Sequence, residues 1–315
     1  MKRTPPAPAP VRLPTPDASS PWMRAVAGVL ALSVVFVGVA VAFDRLETFV
    51  RSLPAPPTRV EWMDLPAWMT DAAWSPLLQE LEDRSGIAPD VDVFDPRVCA
   101  YVSDALLGSA WVERVRRVEK RHDGAVRIWA DFRRPFAFVQ RGSQAHLVDA
   151  RGVLLPHSMP ASAVDGAYWL ILTGVQAAPP TIGQVWPGAD LAAGLKLATF
   201  LYRASDAARF ESRGAIRGVD VTNHNLRRNN RFGELRLVAV SERLTIDWGV
   251  PPGDEGTEPN LIEARAARKL AYLEELFARH GGLPDNVRID LRWEDHPRFE
   301  ELAPAPTEPG RAREG

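Results

Sequence analysis

The sequence predicts an α+β protein: a single transmembrane helix near the N-terminus, a small domain of β-α-α-β-β order, and a larger β-sheet domain with flanking helices. Three observations carry this. One run of nineteen residues, Ala25 to Phe43, holds no charge and no proline. After it, two short helical patterns lead into a strong hairpin signal. The remainder reads as short strands separated by turns and interrupted by two helical patterns. With 315 residues, 46% hydrophobic and 25% charged, the chain has a globular average composition and room for about two domains.

Seven prolines fall in the first 21 residues among Ala, Thr and Ser, so residues 1–24 are expected to be a disordered cytoplasmic tail. At 1.5 Å per residue, residues 25–43 make a helix about 28 Å long, close to a hydrocarbon core of ~30 Å. Lys2, Arg3, Arg12 and Arg24 outweigh Asp17 before it, while Asp44, Arg45, Glu47 and Arg51 balance after it. The positive side stays inside. The expectation is therefore a single-pass protein of the cytoplasmic membrane, with the bulk of the chain extracytoplasmic. A cleaved signal peptide is the rival reading, since Ala40-Val41-Ala42 fits the small-residue cleavage rule, although nineteen apolar residues exceed the usual signal core. Pro54 and Pro56, with Pro57 immediately after them, make residues 44–56 a stiff stalk.

The first domain is expected over residues 57–133. Arg59 to Leu65 reads as a strand; Ser75-Pro76 opens a helix that Gly86 ends, and Asp95-Pro96 opens another that Gly108 ends. Trp111 to Lys120 and Ala125 to Phe132 are strands joined across Asp123-Gly124. The second domain, 134–296, should hold strands at Phe136 to Arg141, His146 to Asp149, Val153 to Leu155, Tyr168 to Leu172, Ile216 to Val221, Glu234 to Ser241, Leu244 to Trp248 and Val287 to Trp293. Its helices are Ala189 to Tyr202 and Glu263 to His280. Residues 297–315 are expected to be a disordered tail.

Chemistry-bearing patterns are scarce. A net charge of −2 gives no basic field for nucleic acid. The lone Cys99 lies on an apolar helical stripe and reads as a core thiol. Six scattered histidines show no metal-ligand spacing, and no nucleophile elbow, P-loop or dinucleotide fingerprint occurs. No cofactor or metal is expected. The acidic pairs Asp254-Glu255 and Glu294-Asp295 fall in turn or end segments. The polar run Asn223 to Arg231 reads as a long strand connection, with a small basic contact surface as the alternative. Trp62, Trp68 and Trp74 repeat every six residues, a packed corner or an exposed patch.

Several runs occur in an order that resembles the FtsQ/DivIB cell-division proteins. They are Trp111-Val112-Glu113-Arg114-Val115, Ala125-Val126-Arg127-Ile128, Arg134-Pro135-Phe136-Ala137, Leu147-Val148-Asp149-Ala150-Arg151-Gly152, Leu172-Thr173-Gly174 and Ile289-Asp290-Leu291-Arg292-Trp293. The likeness departs at Phe132, where the family has an acidic residue, and after Trp293, where a further strand would be expected. The resemblance implies a POTRA module in the first domain and a non-enzymatic divisome scaffold. It implies FtsB/FtsL-like membrane partners that add a strand at the terminal sheet edge, at Ile289, Asp290, Leu291, Arg292 and Trp293. A POTRA-type adaptor for secretion or cell-wall assembly, or a membrane-anchored envelope enzyme, is the alternative.

Overall fold

Helical structure at the N-terminus runs well past the apolar stretch. The computed structural model describes residues 21–52, 58–88, 95–166, 168–206, 214–256 and 263–302. Helix α1 spans Pro21–Ser52, and its portion Pro21–Phe49 is long and apolar enough to cross a membrane. Pro21 opens it, a position where the missing N–H costs nothing. Within it the hydroxyls of Ser33 and Thr48 donate to the carbonyls of Val29 and Asp44, each at 2.8 Å, so neither is left without a partner. Two expectations are corrected here. Residues 21–24 are helical rather than part of the tail, and Asp44 to Ser52 continue the helix rather than form a stalk. No proline occurs between Pro21 and Pro54 to stop the backbone ladder. Residues 1–20 and the prolines at 54, 56 and 57 lie outside the described residues. The described residues divide into two units, one up to Ser52 and the other from Thr58 onward.

The second unit begins with the expected β-α-α-β-β order: β1 (Arg59–Met63), α2 (Ser75–Ser85), α3 (Val98–Leu107), β2 (Val112–Lys120) and β3 (Ala125–Phe132). The sheet order is β1-β3-β2, with β1 parallel and β2 antiparallel to β3. Pro76 sits in the first turn of α2, and Gly86 closes it at φ 68°. Asp95 accepts the Arg97 N–H at 2.8 Å ahead of α3. Leu77, Leu81, Val102 and Leu106 bury the helices against Val126, Ile128 and Ala130 of the central strand. Cys99 is half-buried rather than a core thiol, because it lies one residue off the Val98, Val102, Leu106 stripe.

The rest builds a nine-stranded sheet. Its elements in chain order are β4 (Pro135–Arg141), β5 (Gln144–Asp149), β6 (Leu154–Pro160), β7 (Leu170–Thr173), α4 (Ala189–Asp206), β8 (Ile216–Asp220), β9 (Leu235–Ala239), β10 (Leu244–Gly249), α5 (Ala266–His280), β11 (Val287–Asp290) and β12 (Arg298–Glu301). Across the sheet they run β12-β11-β10-β9-β8-β7-β4-β5-β6. The pairs β4–β7, β7–β8 and β10–β11 are parallel. Parallel neighbours need a long crossover; α4 supplies one between β7 and β8, and α5 another between β10 and β11. Both helices bury one sheet face, where Leu172, Val219, Trp248 and Ile289 meet Leu197, Leu201 and Leu273.

On the opposite face, Phe138, Leu147, Leu155 and Ile171 join Trp111, Val112 and Ile128 of the small sheet in one buried cluster. The boundary expected between residues 133 and 134 therefore falls inside a single compact body. The two outer edges of the large sheet differ. At β6, Leu154 donates to the Gln184 carbonyl at 2.9 Å and accepts from Gly183 at 2.8 Å, Val153 bridges Val185, and Pro156 and Pro160 interrupt the donor row. At the other edge, all four residues of β12 are exposed. The tail expected from residue 297 is thus corrected: Arg298–Glu301 form a strand, and residues 303–315 lie outside the described residues.

Candidate interface at the C-terminal sheet edge

Strands β10 and β11 alternate so that Leu244, Ile246 and Trp248, then Val287, Ile289 and Leu291, face the helices. Their intervening residues, Asp247, Arg288 and Asp290, project from the other face. There they build an ion network. Asp247, fully buried, accepts Arg236 Nε at 2.9 Å and Arg288 Nε at 2.5 Å. The same two guanidiniums lie over the Phe232 ring at 4.1 and 4.3 Å, which removes that side of the network from water. Arg288 also reaches Glu300 at 2.9 Å, and Arg231 holds the other Glu300 oxygen at 2.5 Å. Glu300 stands directly opposite Arg288 in the β11–β12 register, so the pair fixes β12 in place.

The resemblance-based residues fall into two groups. Ile289 and Leu291 are fully buried against the helices. Asp290 accepts Arg292 in a bidentate pair at 2.9 and 2.7 Å and the Trp293 indole N–H at 3.3 Å. Burial opposes ionisation of Asp290, but the hydrogen bonds and charge of Arg292 prevail and hold its carboxyl below the usual range. Trp293 is 38% exposed, and the Arg298 guanidinium stacks on its ring at 3.1 Å.

The expectation that Ile289 to Trp293 forms the terminal edge is corrected. The strand proper is Val287–Asp290, and β12 pairs antiparallel along all four of its residues. The chain reverses through Glu294 to Pro297 and returns, leaving the outer backbone row on Arg298, Phe299, Glu300 and Glu301. Phe299 is half exposed there. The sequence signal for β12 is slight: one apolar residue, Phe299, between Arg298 and Glu300 after Pro297.

What holds this edge to the body lies behind it. Glu263 accepts Lys269 Nζ at 2.7 Å and the Val250 N–H at 3.0 Å, and Lys269 is fully buried beside the Trp248 ring. Burial pushes the Lys269 ammonium below its usual pKa despite Glu263. Gly249, at φ 95°, is required: a Cβ there would overlap the Glu263 carboxylate. The neighbouring backbone continues the tie, with Ala264 donating to the Arg292 carbonyl at 2.8 Å.

The polar run 223–231 is the connection between β8 and β9, and it is internally bonded. Asn223 donates to the carbonyls of Asn229, Phe232 and Gly233 and accepts from the N–H groups of Arg228 and Asn229. Arg227 spends its guanidinium on the carbonyls of Thr222, Gly174 and Val221 and on Asp190. Trp68 and Trp74 meet edge-to-face at 5.4 Å and Trp74 meets Trp111 at 5.8 Å, a packed corner, while Trp62 packs on Phe132. Among the described residues no group of three His, Cys, Asp or Glu side chains converges on one point. No family model matches the chain, and no curated protein matches it.

Proposed function

We propose that the chain is an FtsQ/DivIB-type scaffold of the cytoplasmic membrane, with α1 as a retained anchor, its N-terminus inside and the second unit outside. The β-α-α-β-β portion acts as a POTRA-like module, and the large sheet recruits FtsB/FtsL-like membrane partners. The observation that carries the reading is the open outer side of β12, next to Trp293. A row of unpaired N–H and C=O groups at a sheet edge accepts a partner's extended segment as a further strand. The recipient edge is thus β12, and the Ile289 to Trp293 segment backs it: Ile289 and Leu291 root it in the core, the Asp290–Arg292 pair stands behind β12, and Trp293 lies at the turn into it. Charge along β12 keeps the edge from pairing indiscriminately. Depleting the protein and imaging cells tests this function. Blocked septation and midcell enrichment of a tagged full-length copy are expected. Normal septation with a dispersed tag overturns the reading.

A further inference from the structure

A cavity of about 450 Å³ lies far from β12, where the tryptophan corner of the small sheet's turns meets the start of β4 and the end of α4. Such a volume falls in the range of ligand sites, roughly 300–1,000 Å³. Its walls are the rings of Trp68, Trp74, Phe136, Tyr168, Trp169 and Tyr202. Most are held rigidly. Trp68 and Trp74 pack edge-to-face, and Phe136 meets Tyr202 at 5.0 Å. The Tyr202 hydroxyl accepts the Leu170 N–H at 3.1 Å and donates to the Tyr168 carbonyl at 3.3 Å. Tyr168 itself is 74% exposed and extends the aromatic surface outward.

Two cations, Arg134 and Arg203, complete the lining. Among the described residues no carboxylate lines the cavity, and neither guanidinium has an ion pair. Arg203 also borders a second, mainly apolar concavity of about 490 Å³ between α4 and α5, lined by Phe200, Ala204, Leu270 and Ala271, with Glu274 as its one carboxylate, so that the acidic residue of a guest belongs at the first hollow and not in the second. The two hollows therefore adjoin around one guanidinium.

We infer that this track is a second partner surface, distinct from the sheet edge, which takes an extended acidic peptide carrying an aromatic or large aliphatic side chain. The side chain fills the first hollow, a neighbouring carboxylate pairs with Arg134 or Arg203, and the chain continues past Arg203 into the second. Two hollows in series suit a chain that places alternate side chains on one side. Rings already locked in place lower the ordering cost of binding, and buried aromatic contacts dominate such interfaces. A guanidinium beside an apolar wall binds carboxylate more strongly than one in open water.

The test uses the full-length protein in lipid nanodiscs, panned against a displayed library of random peptides, with enriched sequences resynthesised and titrated by fluorescence polarisation. Enriched peptides should place Asp or Glu close to Trp, Phe, Tyr or Leu. The Arg134→Gln/Arg203→Gln double variant should bind them about tenfold more weakly with an unchanged melting temperature. Arg203→Glu should instead select basic peptides, and Glu300→Arg, at the other surface, should leave binding unchanged. Failure to enrich any peptide, enriched peptides without acids, or equal affinity for the double variant overturns the inference. Binding of naphthalenesulfonate at the cavity without any peptide recovered would mark a small-molecule site and also overturn it.

Discussion

Asp190 ties three stretches of backbone together through two oxygen atoms. Its Oδ2 accepts the Gln176 N–H at 3.0 Å and Arg227 Nη1 at 2.9 Å, and its Oδ1 accepts the Leu191 N–H at 2.8 Å. Burial raises its pKa, but these donors outweigh burial and hold the carboxyl below its ordinary value. A depressed carboxylate stabilises the fold above the unfolded pKa of about 3.9, and the contribution disappears as pH falls through the folded value. Asp190→Asn should therefore cost about 1–3 kcal/mol at neutral pH. Its thermal unfolding curve should begin to approach that of the wild type as pH falls below about 4 and meet it below the depressed folded pKa. Equal neutral-pH stabilities would refute the assignment. Lys269 makes the contrasting case. Replacing it with Met leaves the Glu263 charge buried and alone, a change that costs roughly 3–5 kcal/mol, measurable by chemical denaturation.

At the scale of elements, β12 is the piece whose attachment is most exposed to change. It buries none of its four side chains and is fixed by a short ladder plus the two ion pairs on Glu300. Glu300→Arg replaces both pairs with repulsion. Hydrogen exchange of residues 298–302 should quicken while β9 to β11 keep their protection, and recovery of the partner with the full-length protein should fall. Unchanged exchange would mean that the backbone ladder alone holds the strand. Trp293→Ala should weaken partner recovery and loosen β12 only at its first residue, since the Arg298 stacking on the indole is lost while the ladder and the Glu300 pairs remain.

The elements that sequence periodicity carries well are the ones that bury an alternating row. Leu244, Ile246 and Trp248, or Val287, Ile289 and Leu291, are readable because one face is apolar. Helices α2 and α3 were legible from Pro76, Gly86 and Asp95. Strand β12 was not, because a polar edge strand has no buried face to announce it, and its identity resides in a cross-strand pair twelve residues away in sequence, Arg288 with Glu300. Nor could the parallel order β4-β7-β8 be read, since periodicity reports which face is buried and not which strand lies alongside. The resemblance therefore points to β11, one strand short of the true edge. The aromatic cavity was visible only as unexplained tryptophans, for Phe136, Tyr168 and Tyr202 approach Trp68 and Trp74 solely through the tertiary fold.

For the whole molecule, the consequence of the shared cluster is cooperativity. Phe138 lies on β4, yet it belongs to the same buried group as Trp111 and Ile128 of the small sheet and packs edge-to-face on Trp169 at 5.8 Å. Phe138→Ala should cost about 3–5 kcal/mol. It should lower the melting of residues 58–133 and 134–302 together in one transition, followed by hydrogen exchange in both. Loss of protection in the large sheet alone would mean that the two parts unfold separately.

The unequal edges of the large sheet set a limit on assembly. The β6 side is capped by the Gly183 to Val185 segment and punctuated by prolines, whereas the β12 side is bare. A sheet that can lengthen from one end only cannot polymerise by repeated strand addition, because each added copy would have to offer a second docking end that it lacks. Occupation of the bare end, by a guest strand or by the matching edge of a twin molecule, terminates growth. A complex formed by strand addition at this end would therefore be finite, with one added strand per sheet.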